Sequence, residues 1–221
     1  MHIGDYLPFW DKLTDGQRAT LAGAAVPRHF ARGDMLHEGG VCTGLIIVTS
    51  GRVRAYMLSA DGRELTLYRL LERDICLLSA SCALRGLDFD VMLAAETDCD
   101  VFVIPADVYQ SVMQQSAAAA AFTNELMATR FSDVMWLMDQ LLYHKLDCRL
   151  AAFLLEERAL TNDGTLHLTH ERIAAHLGSA REVVTRLLKY FQSEGLVQLG
   201  RGSVTLLDEN RLRALAGDSL R

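Results

Sequence analysis

The chain has 221 residues, half of them hydrophobic, with 22 Lys and Arg against 28 Asp and Glu for a formal charge of −6. That length supports two domains or one large one. No run of about 18 apolar residues marks a membrane helix, and the opening MHIGDYLPFWDKL lacks the basic start and apolar stretch of a signal peptide, so a cytoplasmic protein without a membrane partner is expected. Cys42, Cys76, Cys82, Cys99 and Cys148 are an odd, irregularly spaced set with no Cys-x-x-Cys pair, which argues against a disulfide scaffold or a structural zinc site. Charge is unevenly shared: residues 1–148 hold 12 basic against 19 acidic side chains, or −7, and residues 149–221 hold 10 against 9, or +1. Since +1 is weak for a nucleic-acid binder, such a role must rest on where the cations sit.

From about Phe30 to Ile104 the chain alternates short β-prone runs with turn residues. Val53, Ala55, Met57 and then Leu65, Leu67 keep the period of two, and Asp61-Gly62 is a strong hairpin signal. Several such strands predict a β-sandwich or barrel. Pro105 closes this region, and a short helix is expected over Asp107 to Met113. Ala117 to Ala121 then opens a helix continuing to about Tyr143. In it Met127, Phe131, Val134, Met138 and Leu141 follow a 4-3-4-3 spacing, the seam of a coiled coil; a helix packed across its own β-domain is one reading, and self-association along the seam, with the other side facing the barrel, is the expected one. Asp147 to Leu160 is a further amphipathic helix, with the domain boundary near residues 144–148.

The last third carries the most specific signal. Thr169 can cap a short helix whose Ile173, Ala174 and Leu177 face inward, and Gly178 suits the turn that follows. In LGSAREVVTRLLKYFQSEGLVQL, Val184, Leu187, Leu188 and Phe191 recur at three and four, so they share a buried stripe, with Arg181, Glu182, Thr185, Arg186 and Lys189 on the other side. Ser179 and Glu182 have the spacing of a capping box, and Gly195 offers a left-handed stop. Leu196 to Leu199 and Ser203 to Leu207, joined by Gly200-Arg201-Gly202, then read as a hairpin. The whole is a winged helix-turn-helix.

This order of parts, with the strings GDMLHEGG, LIIVTSGRVRAYMLSADGRELTL and GSAREVVTRLLKYFQSEGLVQL, resembles the CRP/FNR family of bacterial transcription regulators over most of the chain. The resemblance implies an α+β chain: a double-stranded β-helix (jelly-roll) sensor domain over 1–115, a dimerisation helix over 116–146 and a winged helix-turn-helix over 147–221. It implies a homodimer on double-stranded DNA with a palindromic operator, and contact with RNA polymerase if the protein activates. The family's base-reading positions fall on Arg181, Glu182, Thr185 and Arg186, and an Arg-Glu pair followed by that Arg resembles readers of a TGA half-site core. Ser179, Thr169, Lys189 and Arg201 are expected on phosphates.

The sensor half departs from the family pattern. Where cyclic-nucleotide binders carry an acidic ribose ligand and a paired phosphate-binding Arg, this chain has RDICLLSASCALRGLDFD, with Arg85 alone beside a Gly. Val134 and Met135 stand where those members place hydroxyls. Both features argue against cyclic AMP, and the lack of cysteines before Cys42 argues against an iron–sulfur cluster. The effector is therefore unknown, with Cys76, Cys82, Arg85, Val134 and Met135 as pocket candidates. Haem on Cys76 or Cys82 and a thiol switch stay open beside simple burial of both cysteines. His144, His167, His170 and His176 are expected as surface or capping residues. A protein-interaction module with a repurposed helix-turn-helix is the rival reading. An enzyme is not expected, because no base, nucleophile elbow or phosphate loop is placed by the sequence.

Overall fold

The computed structural model describes residues 2–38, 42–79, 90–161 and 163–220. They fall into two compact units, Met1–Leu58 with Leu67–Val134, and Ser59–Thr66 with Met135–Arg221.

In the first unit two short 3-10 turns, Ile3–Tyr6 and Trp10–Lys12, precede α1 (Asp15–Ala24), a helix not among the expected elements although Thr14 and Gln17 close a reciprocal capping box at its start. Eight strands follow: β1 (Val26–Phe30), β2 (Met35–His37), β3 (Leu45–Ser50), β4 (Val53–Leu58), β5 (Glu64–Leu70), β6 (Ile75–Cys76), β7 (Met92–Ala95) and β8 (Cys99–Ile104). They form two four-stranded sheets, ordered β1-β8-β3-β6 and β2-β7-β4-β5.

The run LIIVTS of β3 explains how this unit is layered, because five of its six residues are buried. Ile46 and Val48 point into the space between the sheets with Val53, Ala55, Leu70, Leu93 and Val101. Leu45 and Ile47 point to the opposite face, which is covered by Leu21 of α1, by Tyr109 and Val112 of α2 (Ala106–Gln115) and by Ala119 of α3 (Ala117–Tyr143). A strand buried on both faces loses the alternation of a half-exposed one and reads as a continuous apolar run. Tyr109 donates or accepts a 2.7 Å hydrogen bond with Thr123, which ties α2 to α3 without leaving a buried hydroxyl unpaired.

Helix α3 has 27 residues and ends where the sequence predicts. Along its seam Met127 and Val134 are half-buried, while Phe131 is 69% exposed and Met138 and Leu141 are also open to solvent in the single chain.

The second unit contains α4 (Leu146–Thr161), β9 (Thr165–Leu166), α5 (His170–Leu177), α6 (Arg181–Ser193), β10 (Val197–Gly200), β11 (Ser203–Leu206) and α7 (Glu209–Ala216). Its core joins Leu150, Phe153 and Leu154 of α4, Ile173 and Leu177 of α5, Val184, Leu188 and Phe191 of α6, and Leu212 of α7. The wing is a three-stranded sheet ordered β10-β11-β9. Strand β9 and helix α7 are too short for periodicity to disclose, and both are found only in the structure.

Phe191 is fully buried at the centre of this core. Phe191→Ala should destabilise the second unit by about 3–5 kcal/mol, read as faster hydrogen exchange of the α5 and α6 amides, whereas Lys189→Ala on the opposite face should change it by less than about 0.5 kcal/mol.

Candidate nucleic-acid interface

Helix α5 begins at Thr169, whose hydroxyl accepts a hydrogen bond from the Arg172 amide at 3.2 Å, as its sequence position predicts. It ends at Gly178, which takes the left-handed conformation at φ 64°, open to glycine without strain. The Gly178 and Ser179 amides both donate to the Ala174 carbonyl, so the chain leaves α5 within two residues. Arg149, from α4, reaches across to donate to the Leu177 carbonyl at 2.7 Å, and burial lowers its pKa.

The expected capping box of Ser179 and Glu182 does not form. Ser179 is used to close α5, so Ala180 becomes the N-cap of α6, and it has no side-chain cap. Glu182 is left exposed in the first turn, with no bond holding it to the helix start. At the other end Gly195 adopts φ 72° as expected, and Arg211 donates to the Glu194 carbonyl at 2.9 Å, a cation at the negative end of the helix.

Between these ends the apolar stripe fixes the rotation of α6. Val184, Leu188 and Phe191 are buried, and Arg181, Glu182, Arg186 and Lys189 are exposed. These four line one shallow open groove with Thr185. Three cations against one carboxylate leave this face positive although the chain is acidic. Among the described residues no ion pair or hydrogen bond occupies the four charged side chains, which is the state needed to meet an outside partner. Arg201 stands exposed at the tip of the two-residue β10–β11 turn, with Gly202 after it at φ 71°.

Two histidines depart from expectation. His176 is buried against the Phe153 ring, 5.0 Å between centroids, and is not a surface residue. His170 is half-buried and sits 2.9 Å from the Thr185 hydroxyl. Burial, and then the Arg181 and Lys189 cations, hold its imidazole below the usual 6.5.

The pocket candidates have different surroundings. Cys82 and Arg85 lie outside the described residues. Cys76 is fully buried between the sheets, with its thiol 3.8 Å from the Tyr68 hydroxyl, so it lacks the exposure that a thiol switch requires and packs as a small apolar residue. Val134 is half-buried, and Met135 is 46% exposed. Cys42 is disulfide-bonded, which the spacing of the cysteines did not disclose, whereas Cys76, Cys99 and Cys148 are free. Burial pushes the Cys99 thiol up to about 11.

The acidic groups buried in the first unit, Glu96 and Asp133, are not among the expected site residues. Arg130 lies 4.4 Å over the Tyr68 ring and bonds Asp133 at 3.1 Å, and the Glu96 carboxylate is ion-paired with Arg52 at 3.0 Å and Arg69 at 2.9 Å. Among the described residues no group of three His, Cys, Asp or Glu side chains could hold a metal, and no helix is long and apolar enough to cross a membrane.

Comparison with known proteins places both units. Residues 27–116 match the cyclic nucleotide-binding domain family and residues 148–215 the Crp-like helix-turn-helix domain family. The chain is 25% identical over 182 residues to a cyclic AMP receptor protein of Thermus thermophilus, covering 82% of this chain and 83% of that one. It is 28% identical over 196 residues to the nitrogen fixation regulation protein FixK of Bradyrhizobium diazoefficiens, covering 85% and 81%. Among solved structures, one from Eubacterium rectale ATCC 33656, described as a transcriptional regulator of the crp/fnr family, superposes with a TM-score of 0.94 at 51% identity, covering 96% of this chain and 99% of that one.

The His170 ring should titrate below 6.5 in the free protein, and Arg181→Gln, by removing a nearby cation, should raise its midpoint; two-dimensional NMR of the imidazole reads both. Because the folded value lies below the unfolded one, this group stabilises the fold above 6.5, and that contribution fades as pH falls through the folded value.

Proposed function

The chain belongs to the CRP/FNR family of DNA-binding transcription regulators, and we propose that it acts as a cytoplasmic homodimer that reads a palindromic operator with one α6 helix per half-site. Regulators of this family bind DNA and act as dimers. The observation that carries the reading is the α6 face, where Arg181, Glu182 and Arg186 are exposed and uncommitted on a helix whose rotation is fixed by its core.

Each side chain has a chemical counterpart in the major groove. A guanidinium can donate two bonds to O6 and N7 of guanine, and a carboxylate can accept from N4 of cytosine. Arg181 and Arg186 with Glu182 between them therefore suit a G·C pair, with guanine read on one strand and its cytosine partner on the other, and the resemblance to readers of TGA half-sites supplies the rest of the core. Lys189, Arg201, Ser179 and Thr169 hold phosphates. The Thr169 hydroxyl accepts from the Arg172 amide and keeps its own proton for this purpose.

Dimerisation falls to α3, whose Phe131, Met138 and Leu141 are too apolar to remain in water along a seam. A small effector acts through the first unit and shifts the population of dimers toward the one with correctly spaced α6 helices. Contact with RNA polymerase follows where the bound protein activates.

Native mass spectrometry should give a particle of twice 24.5 kDa. Selection from random-sequence DNA should enrich a palindrome, and binding to it should weaken steeply with salt as counterions are released. Arg186→Ala should lose about 1–3 kcal/mol on the selected site and less on random DNA. Equal losses on both would refute base reading by that residue, and a flat salt response would point to a protein partner instead.

A further inference from the structure

Thr185 is the one short side chain within the charged face of α6. It lies four residues after Arg181, three after Glu182 and four before Lys189, so it occupies the middle of the groove that they line. Its hydroxyl behaves unlike those of the other helical threonines. Thr20, Thr123, Thr129 and Thr161 each turn back to the carbonyl four residues earlier, at 2.8, 2.8, 3.0 and 2.9 Å. The Thr185 hydroxyl instead crosses to Nδ1 of His170, the first residue of α5, at 2.9 Å.

Only one of the two branches on the threonine Cβ can point at the imidazole. With the hydroxyl so directed, the methyl is the branch left to the groove. The neutral imidazole is favoured by burial and by Arg181 and Lys189 on the facing helix, and its Nδ1 shares one hydrogen bond with the hydroxyl, the tautomer deciding which of the two donates. Thr185 then presents hydrocarbon where its neighbours present charge. In the major groove, thymine is distinguished from cytosine by an apolar group, its 5-methyl.

We infer that His170 is a positioning residue for sequence reading: it holds the Thr185 hydroxyl so that the Thr185 methyl meets a thymine methyl at one position of each half-site. This rests on the DNA-reading role of α6 proposed above and adds to it a residue of α5 that sets how Thr185, already expected among the base readers, presents itself.

Replacing thymine by deoxyuridine removes only the 5-methyl, so the test needs no change to the protein. On the palindrome selected by the wild-type dimer, each thymine is replaced in turn. Affinity should fall by about threefold to tenfold at one symmetric position and little elsewhere. Thr185→Val, which keeps a methyl, should retain the discrimination, and Thr185→Ser should lose it. His170→Ala should abolish the discrimination while leaving the salt dependence unchanged, and His170→Gln, whose amide can still bond Thr185, should restore part of it. A palindrome with no methyl-sensitive position, or His170→Ala with wild-type discrimination, overturns this inference and leaves the DNA-reading role standing. Failure to enrich any palindrome overturns both.

Discussion

The burial of Val184, Leu188 and Phe191 is the constraint from which the chemistry of the second unit follows. A helix of 13 residues is marginal alone in water. Its apolar stripe against α4, α5 and α7 supplies the stability and permits only one rotation about its axis. Once that rotation is set, Arg181, Glu182, Arg186 and Lys189 have no choice but to face solvent together. The positive face of an acidic chain is thus produced by hydrophobic burial acting on residue order, not by an excess of basic residues.

The first unit shows the complementary problem of placing charge inside. Two guanidiniums converge on Glu96, and Arg130 is stacked on Tyr68 and bonded to Asp133. Buried ions are tolerated when paired and hydrogen-bonded, and removing one partner leaves the other at a large penalty. Such clusters hold strands and helices in defined positions.

Much of the fold is legible from residue spacing. The strands after Phe30, the reach of α3 to Tyr143, the Thr169 and Gly178 ends of α5, the buried stripe of α6 and the wing all follow from periodicity and turn chemistry. The failures have physical reasons. Ser179 and Glu182 have capping-box spacing, yet the tight turn spends Ser179 on closing α5 and hands the cap to Ala180. His176 looks like a polar residue near a helix end, but its ring stacks on Phe153 in the core. The His170–Thr185 bond joins residues 15 apart across a turn and has no signature in the sequence.

Arg149 and Arg211 fasten the two ends of the helix pair through backbone carbonyls, at Leu177 and Glu194, and so make no demand on the side chains that face outward. The framework and the charged side chains of the α6 face therefore draw on separate residues. Exchanging Arg181, Glu182 or Arg186 for other side chains removes no internal bond, so target preference can drift over generations while the scaffold stays as stable as before. Charged positions free of structural obligations are ones that selection can rewrite.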